Sequence, residues 1–145
     1  MKIALSTLVL LFLAFPLLAE EVQELYSDTG AWDMFIEKVQ RGDKEAITKA
    51  IELRKESDAG ASSELNDALF VALKFEPQLI LSESNQVCYG RNDPLSSYES
   101  AVKEVDIIIH SVSKINTDLA KECVQNLKNS KVHLAKYFGV KPNGL

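Results

Sequence analysis

The sequence predicts an all-α fold: an irregular bundle, or a short stack, of about three antiparallel helix pairs held by one disulfide. Apolar residues recur at i, i+3, i+4 and i+7 through most of the chain after residue 30, which is the pattern of a buried helix face. Turn signals rich in Gly, Pro, Ser and Asp divide this pattern into segments, and none of them reads convincingly as a strand. The predicted pairs span residues 31–55, 62–83 and 94–138, and short connections favour antiparallel neighbours.

The first predicted pair is divided by Gly42 and Asp43. Gly42 is typical of a helix end, and the Asp43 side chain is suited to cap the helix that follows. The buried stripe of the first helix comprises Trp32, Phe35, Ile36 and Val39, and that of the second comprises Ile47, Ala50 and Ile51.

The second predicted pair follows a turn over Ser57 to Ala61, "SDAGA". Ser62 or Ser63 is the predicted cap of the next helix, whose stripe comprises Leu65, Ala68, Leu69, Ala72 and Leu73. Pro77 interrupts this pattern because it has no amide donor and restricts the residue before it. A short helix over Pro77 to Leu81 is expected, with the proline in its first turn.

The third predicted pair begins at Asp93 and Pro94, a cap followed by a proline, or nearer Ser97. The β-branched residues of its first helix would suit a strand, but the length and the period favour a buried helix. This stripe comprises Tyr98, Ala101, Val102, Val105, Ile108, Ile109 and Val112.

The last helix is predicted to start at Asn116 or Thr117 and to stop at Gly139. The segment "NLKNS" is its weak point. Its apolar positions are Leu119, Ala120, Cys123, Val124 and Leu127, followed by Val132, Leu134, Ala135 and Phe138.

Residues 1–19 have the organisation of a secretory signal peptide. Lys2 supplies a positive charge, Ile3 to Leu18 is almost entirely apolar, and Ala19 is a small residue before two glutamates. We therefore predict cleavage after Ala19, although Leu17 is larger than usual at its position, and a mature single helical domain, 20–145, that is periplasmic or secreted. The alternative is an uncleaved membrane anchor.

The charge of the predicted mature chain limits its partners. Its 126 residues carry 15 basic and 21 acidic side chains, a net charge of −6. No basic patch stands out, so the sequence argues against a nucleic-acid partner. The negative charge suits a protein partner with a basic surface, although acidic and basic residues are scattered as on solvated helix faces.

The two cysteines, Cys88 and Cys123, predict one intramolecular disulfide in an exported chain. Their spacing is not that of a CxxC redox pair, and two cysteines alone cannot complete a zinc site. Two free thiols or an intermolecular bond are the alternatives. A helix from Pro94 to Ile115 would be about 33 Å long, so Cys88 has to lie back along the last hairpin to reach Cys123.

A loop fixed in this way is expected to present Tyr89, Arg91, Asn92 and Asp93 on a rigid surface. Tyr and Arg are common energetic centres of protein interfaces, so we predict these four as partner-binding residues. The alternative is that Arg91 and Asp93 cap helices while Tyr89 covers the disulfide.

The sequence predicts no catalytic, metal or cofactor site, and therefore no enzyme. His110 and His133 lie on different helices without a metal-ligand spacing, and the carboxylates are dispersed. Trp32 falls on an apolar stripe and is predicted to be a core residue. A helical bundle can also enclose an apolar ligand cavity that no residue pattern indicates.

Several segments resemble a group of small exported bacterial α-helical proteins to which no activity is assigned. They are the Trp32 to Asp43 pattern, "DAGASSELNDALFVALKFEPQLIL", the loop cysteine that follows it, "SYESAVKEVDIIIHSVSKI" and "LAKEC". The architecture is also similar to the periplasmic immunity proteins that neutralise amidase effectors of the type VI secretion system. These motifs are packing and turn residues, so the resemblance implies a fold and assigns no functional residue.

Two functions are therefore expected from this sequence. The first is a non-enzymatic periplasmic protein-binding domain, in its narrower form an immunity-type inhibitor of a basic secreted effector, with no nucleic-acid partner and no stable membrane insertion after cleavage. The second is a structural or adaptor helical domain of the cell envelope. A hydrolase is the third and least favoured reading.

Overall fold

The computed structural model describes residues 20–83, 86–91, 95 and 97–141, and within them it confirms an all-α bundle with one disulfide. The predicted signal segment, 1–19, lies outside the described residues. Residues 20–27 are helical and form α1. The elements that follow are α2 (Thr29–Gln40), α3 (Lys44–Glu56), α4 (Ala59–Ala72), α5 (Pro77–Glu83), the 3-10 helix η1 (Gln86–Tyr89), α6 (Tyr98–Val112) and α7 (Asp118–Tyr137).

Gly42 allows α2 to end and α3 to begin within three residues, as predicted. Its φ of +86° lies in the left-handed region, which favours glycine. The Gly42 amide donates to the Val39 carbonyl at 3.0 Å and the Asp43 amide to the Lys38 carbonyl at 3.1 Å, which is the Schellman arrangement. The Asp43 carboxylate then accepts from the Ala46 amide at 2.9 Å and caps α3. A Cβ at residue 42 would also lie 2.7 Å from the Cβ of Phe75.

The start of α4 differs from the prediction. Asp58 caps the helix by accepting from the Ala61 amide at 3.0 Å, so α4 begins at Ala59 and the turn contains only Ser57 and Asp58. Ser62 and Ser63 are consequently helical. Aspartate and serine are about equally good caps, and the earlier start places one glycine, Gly60, in the first turn of the helix.

The second half follows the prediction more closely. The short helix α5 begins at Pro77, and α6 begins at the later of its two predicted starts, because the Ser97 hydroxyl accepts from the Ser100 amide at 3.2 Å. Thr117 caps α7. The helix continues through "NLKNS" without a break, and the buried hydroxyl of Ser130 is satisfied by donating to the Leu127 carbonyl at 2.7 Å within the same helix.

The helices pack in two groups that share one core. α2, α3 and α4 contact one another, α6 packs along α7, and α5 lies against α3 and α6. α4 therefore packs mainly on α2 and α3 and only the first and last predicted pairs form hairpins. The reason is that five consecutive residues of α4, 68–72, are buried, so this helix needs neighbours all round.

Within the described part of the chain, none of the helices combines the length and the apolar character required to span a membrane.

Candidate partner-binding site

The predicted disulfide is present and anchors η1 to α7. Cys88 and Cys123 are bonded to each other, with their Cα atoms 5.1 Å apart, and neither side chain is exposed. η1 accordingly packs against α7 and α4, so the irregular segment lies back along the last hairpin. The intramolecular bridge is therefore confirmed.

The chain leaves the core directly after Cys88. Val87 and Cys88 are buried, whereas 65% of Tyr89 is exposed. Gly90 has a φ of +101°, a conformation that residues with a side chain rarely adopt. A Cβ there would lie 3.6 Å from the Cβ of Ser130, an ordinary contact, so glycine is required here for its backbone. The turn at Gly90 directs Arg91 towards α6.

A cavity of about 230 Å³ lies beside this segment and is lined by residues 89–91, by Leu95 and by residues of α4, α6 and α7. Its apolar lining comprises Phe70, Leu95, Ala101, Val105 and Leu134. Its polar lining comprises Tyr89, Arg91, Glu104, Ser130, His133 and Tyr137. We call this cavity and its lining residues the disulfide-anchored site.

Two exposed aromatic side chains belong to the disulfide-anchored site. Tyr89 is 65% exposed and Tyr137 is 70% exposed, among the most exposed large apolar side chains of the described residues. The ring of Tyr137 lies edge-on to that of Phe138, with 5.0 Å between centroids, and Phe138 in turn contacts Tyr98. These contacts support the orientation of Tyr137 despite its exposure.

One ion pair crosses the disulfide-anchored site. Arg91 Nη1 lies 3.5 Å from Glu104 Oε2, and the two side chains are only 20% and 15% exposed. This separation is longer than a charge-assisted hydrogen bond, which is about 2.7–2.9 Å. The Nε of Arg91 is buried and has no hydrogen-bond acceptor among the residues that the structure describes. The guanidinium is thus held in place with part of its hydrogen-bonding capacity unused.

The predicted partner-binding residues are only partly accounted for. Tyr89 and Arg91 both line the cavity, while Asn92 and Asp93 lie outside the described residues. Arg91 pairs with Glu104 in the middle of α6, so the pairing described for it is not that of a helix cap. His133 is exposed and lines the same cavity, and His110 lies in a separate groove on α6.

The sequence did not predict Glu104, Ser130 or Tyr137 as site residues. A signal existed for Glu104, because it interrupts the apolar positions Ala101, Val105 and Ile108 on the buried face of α6. A carboxylate on a buried stripe needs a partner, so it predicts a polar contact from elsewhere in the chain.

A second polar cluster lies in the first helix group, around Glu64 on α4. The indole of Trp32, which is 3% exposed as the core prediction required, donates to Glu64 Oε2 at 2.6 Å. The Tyr26 hydroxyl donates to Glu64 Oε1 at 3.2 Å. That hydrogen bond, together with the charge of Glu64, raises the pKa of Tyr26 above its usual value. Both carboxylate oxygens are therefore engaged by helices other than their own.

No group of three His, Cys, Asp or Glu side chains among the described residues is arranged to hold a metal ion. Comparison of the chain with protein-family models, with curated proteins and with solved structures finds no match. The resemblance to small exported helical proteins and to immunity proteins consequently stays a prediction.

Proposed function

We propose that the mature chain is a non-enzymatic, exported protein-binding domain and that the disulfide-anchored site is its partner-binding surface. The observation that carries this proposal is a concave, largely apolar cavity whose lining includes two exposed tyrosines and an arginine on a segment fixed by a buried disulfide. Tyr and Arg next to a pocket are the residues that most often dominate the energy of protein interfaces.

The disulfide supports this proposal through preorganisation. Binding by a mobile loop costs the ordering of its residues, at about 0.5–1.5 kcal/mol for each immobilised side chain. Here the bond between Cys88 and Cys123 and the burial of Val87 hold η1 before any partner arrives. Tyr89 and Arg91 follow directly, so little further ordering of their backbone is required.

Export and charge define the partner more closely. The order of residues 1–19 supports secretion, where a disulfide persists, and the net charge of −6 on the mature chain favours a partner with a basic surface. The narrower form of the proposal is an immunity-type inhibitor, in which the disulfide-anchored site covers the cleft of a basic secreted effector.

Affinity purification from the periplasm of the source cells tests the proposal. We expect a stoichiometric protein partner with the native chain and its loss with the double variant Tyr89→Ala/Tyr137→Ala. The matched control is Met34→Ala/Leu119→Ala, which removes two exposed apolar side chains, 62% and 46% exposed, outside the site. Equal recovery of the partner by both double variants would contradict the assignment of the site.

Deletion of the gene tests the narrower form. Loss of an immunity-type inhibitor should sensitise cells to attack by their siblings, and the native gene should restore resistance while the Tyr89→Ala/Tyr137→Ala variant should not. Unchanged survival, with the partner still recovered, would favour a structural or adaptor role in the cell envelope.

A further inference from the structure

The described polar lining of the disulfide-anchored site contains several groups that can donate hydrogen bonds. Arg91 contributes a guanidinium, and Tyr89 and Tyr137 contribute phenol groups that can donate. Glu104 is the one carboxylate among the described lining residues, and Arg91 already faces it at 3.5 Å. A ligand that brings acceptor oxygens therefore complements this cavity better than one that brings donors.

Arg91 is the group best placed to receive such oxygens. A guanidinium has five N–H donors, but the ion pair with Glu104 is too long to be a strong hydrogen bond and Nε has no acceptor. A buried donor without a partner is unusual in a folded protein and calls for an explanation. Arg91 lines the cavity and one fifth of its side chain is exposed, so the residue lies where it can meet an incoming carboxylate.

The rest of the cavity is apolar and has the size of about one residue. Phe70, Val105 and Leu134 lie in its lining, and its volume of about 230 Å³ exceeds the roughly 150 Å³ of an engineered cavity that holds benzene. The ligand that fits both parts carries a carboxylate and a separate apolar group within one residue. An Asp or Glu side chain has no such apolar group, whereas a C-terminal residue with an apolar side chain has both.

We infer that the disulfide-anchored site binds the C-terminal residue of its protein partner. In this arrangement the free α-carboxylate pairs with Arg91, and the final apolar side chain contacts Phe70, Val105 and Leu134. The inference rests on the proposed function and names the part of the partner that is recognised. It agrees with the net charge of −6, because a basic protein that the acidic surface attracts still ends in a carboxylate.

Titration with matched peptides tests this inference. The probes are an N-acetylated tetrapeptide, Ala-Ala-Ala-Leu, with a free carboxylate, the same peptide as its C-terminal amide, and free 4-methylpentanoate. We expect the acid to shift the NMR signal of the Arg91 Nε–H group and to bind about tenfold more tightly than the amide, the effect of one charge-assisted contact. Equal binding of acid and amide, or no shift of the Arg91 signal at millimolar peptide, would overturn the inference.

Free 4-methylpentanoate tests whether the carboxylate that the site binds belongs to a peptide or to a small molecule. We expect 4-methylpentanoate to bind more weakly than the peptide acid, because a peptide also contacts the exposed rings of Tyr89 and Tyr137. Tighter binding of the free acid would overturn peptide recognition and identify a site for small carboxylates.

Glu104→Gln tests whether the site prefers an anionic or a cationic ligand. Removing the competing carboxylate should strengthen binding of the peptide acid about threefold or more, whereas a site for a cationic group would lose affinity. Arg91→Gln should abolish the preference for acid over amide, and thermal unfolding of each variant verifies that it is folded. If the partner still co-purifies with Arg91→Gln while no peptide binds the native chain, the C-terminal inference fails and the proposed function stands.

Discussion

Two glutamates that pair with side chains from other segments of the chain have very different surroundings in this molecule. Glu64, in the first helix group, accepts from the buried indole of Trp32 at 2.6 Å and from the hydroxyl of Tyr26 at 3.2 Å. Glu104, in the last hairpin, faces the guanidinium of Arg91 at 3.5 Å, and Arg91 Nε lacks an acceptor. The first carboxylate is used to join helices, whereas the second is part of an incompletely satisfied pair beside a cavity.

This difference indicates a division of roles between the two regions. The first helix group has fully buried apolar residues on α2, α3 and α4 and a satisfied polar cluster, which is the arrangement that stabilises a fold. The region around η1 depends on a covalent bond and retains exposed tyrosines and an unused donor. Departures from complete satisfaction are expected at functional sites, because binding requires groups that the fold has not already used.

The largest effect is expected from removal of the disulfide. Cys88→Ala/Cys123→Ala should lower the free energy of unfolding by roughly 3–4 kcal/mol, because the bond closes a loop of 35 residues in the unfolded chain. Urea denaturation measures this loss.

Hydrogen exchange on the same variant sharpens the comparison between the regions. Amides of η1 and α6 should lose more protection than the drop in the free energy of global unfolding accounts for, while those of α3 and α4 should lose no more than that drop. An equal loss of protection along the whole chain, or a selective loss in α4, would break the proposed division.

The next largest loss of stability is expected from a substitution in the core of the first helix group. Leu65 on α4 has no exposed surface, so Leu65→Ala should cost about 3 kcal/mol through lost transfer energy and the cavity left behind. Leu119→Ala on α7, where 46% of the side chain is exposed, is the matched control and should change stability by less than about 0.5 kcal/mol. Equal losses of unfolding free energy in urea denaturation would show that burial does not determine how much each of these two leucines contributes to stability.

Substitution of each of the two glutamates is expected to change stability by a smaller amount and compares the two regions directly. Glu64→Gln should cost about 1 kcal/mol, because two donors lose a charged acceptor. Glu104→Gln should cost less than Glu64→Gln, because the contact that it weakens, at 3.5 Å, is longer than either hydrogen bond to Glu64 and the Gln carbonyl oxygen can still accept from Arg91. A larger loss at Glu104 than at Glu64 would mean that the Arg91 pair is structural, and the division of roles would fail.

Much of the fold could be predicted from the sequence because helix faces are local patterns. The stripe from Trp32 to Val39, the turn at Gly42 and the cap at Thr117 follow from contacts within a few residues. The start of α4 was placed too late because Asp58 and Ser62 are both good caps and local pattern cannot rank them. The packing of α4 on both α2 and α3 depends on the whole bundle and could not be read from its own stripe.

The site was only half predictable for a related reason. Cys88 identified the segment, and the residues beside it, Tyr89 and Arg91, followed from chain proximity alone. Glu104 and Tyr137 reach the cavity through the packing of η1 on α7 and of α6 along α7, which brings together residues that are far apart in sequence. A cavity is space that several elements leave between them, so no single segment encodes it.

The smallest effect concerns pH and the Glu64 cluster. The hydrogen bond to Glu64 and its negative charge raise the pKa of Tyr26 above the ordinary value of 10.0. A raised pKa means that the folded chain holds this proton more tightly than the unfolded chain. The stabilisation is therefore complete below pH 10.0 and is lost as the pH rises from there through the folded-state pKa of Tyr26.

Urea midpoints measured on both sides of that range test this cluster. The native chain should lose stability with rising pH, and Tyr26→Phe should lose less, because it has no phenol proton at this position. Tyr89→Phe, which removes an exposed phenol from the disulfide-anchored site, is the matched control and should follow the native pH dependence. If Tyr89→Phe and Tyr26→Phe reduce the pH dependence of stability equally, the coupling between a tyrosine proton and folding is not specific to the first helix group. The pH dependence would then give no support to the contrast between Glu64 and Glu104.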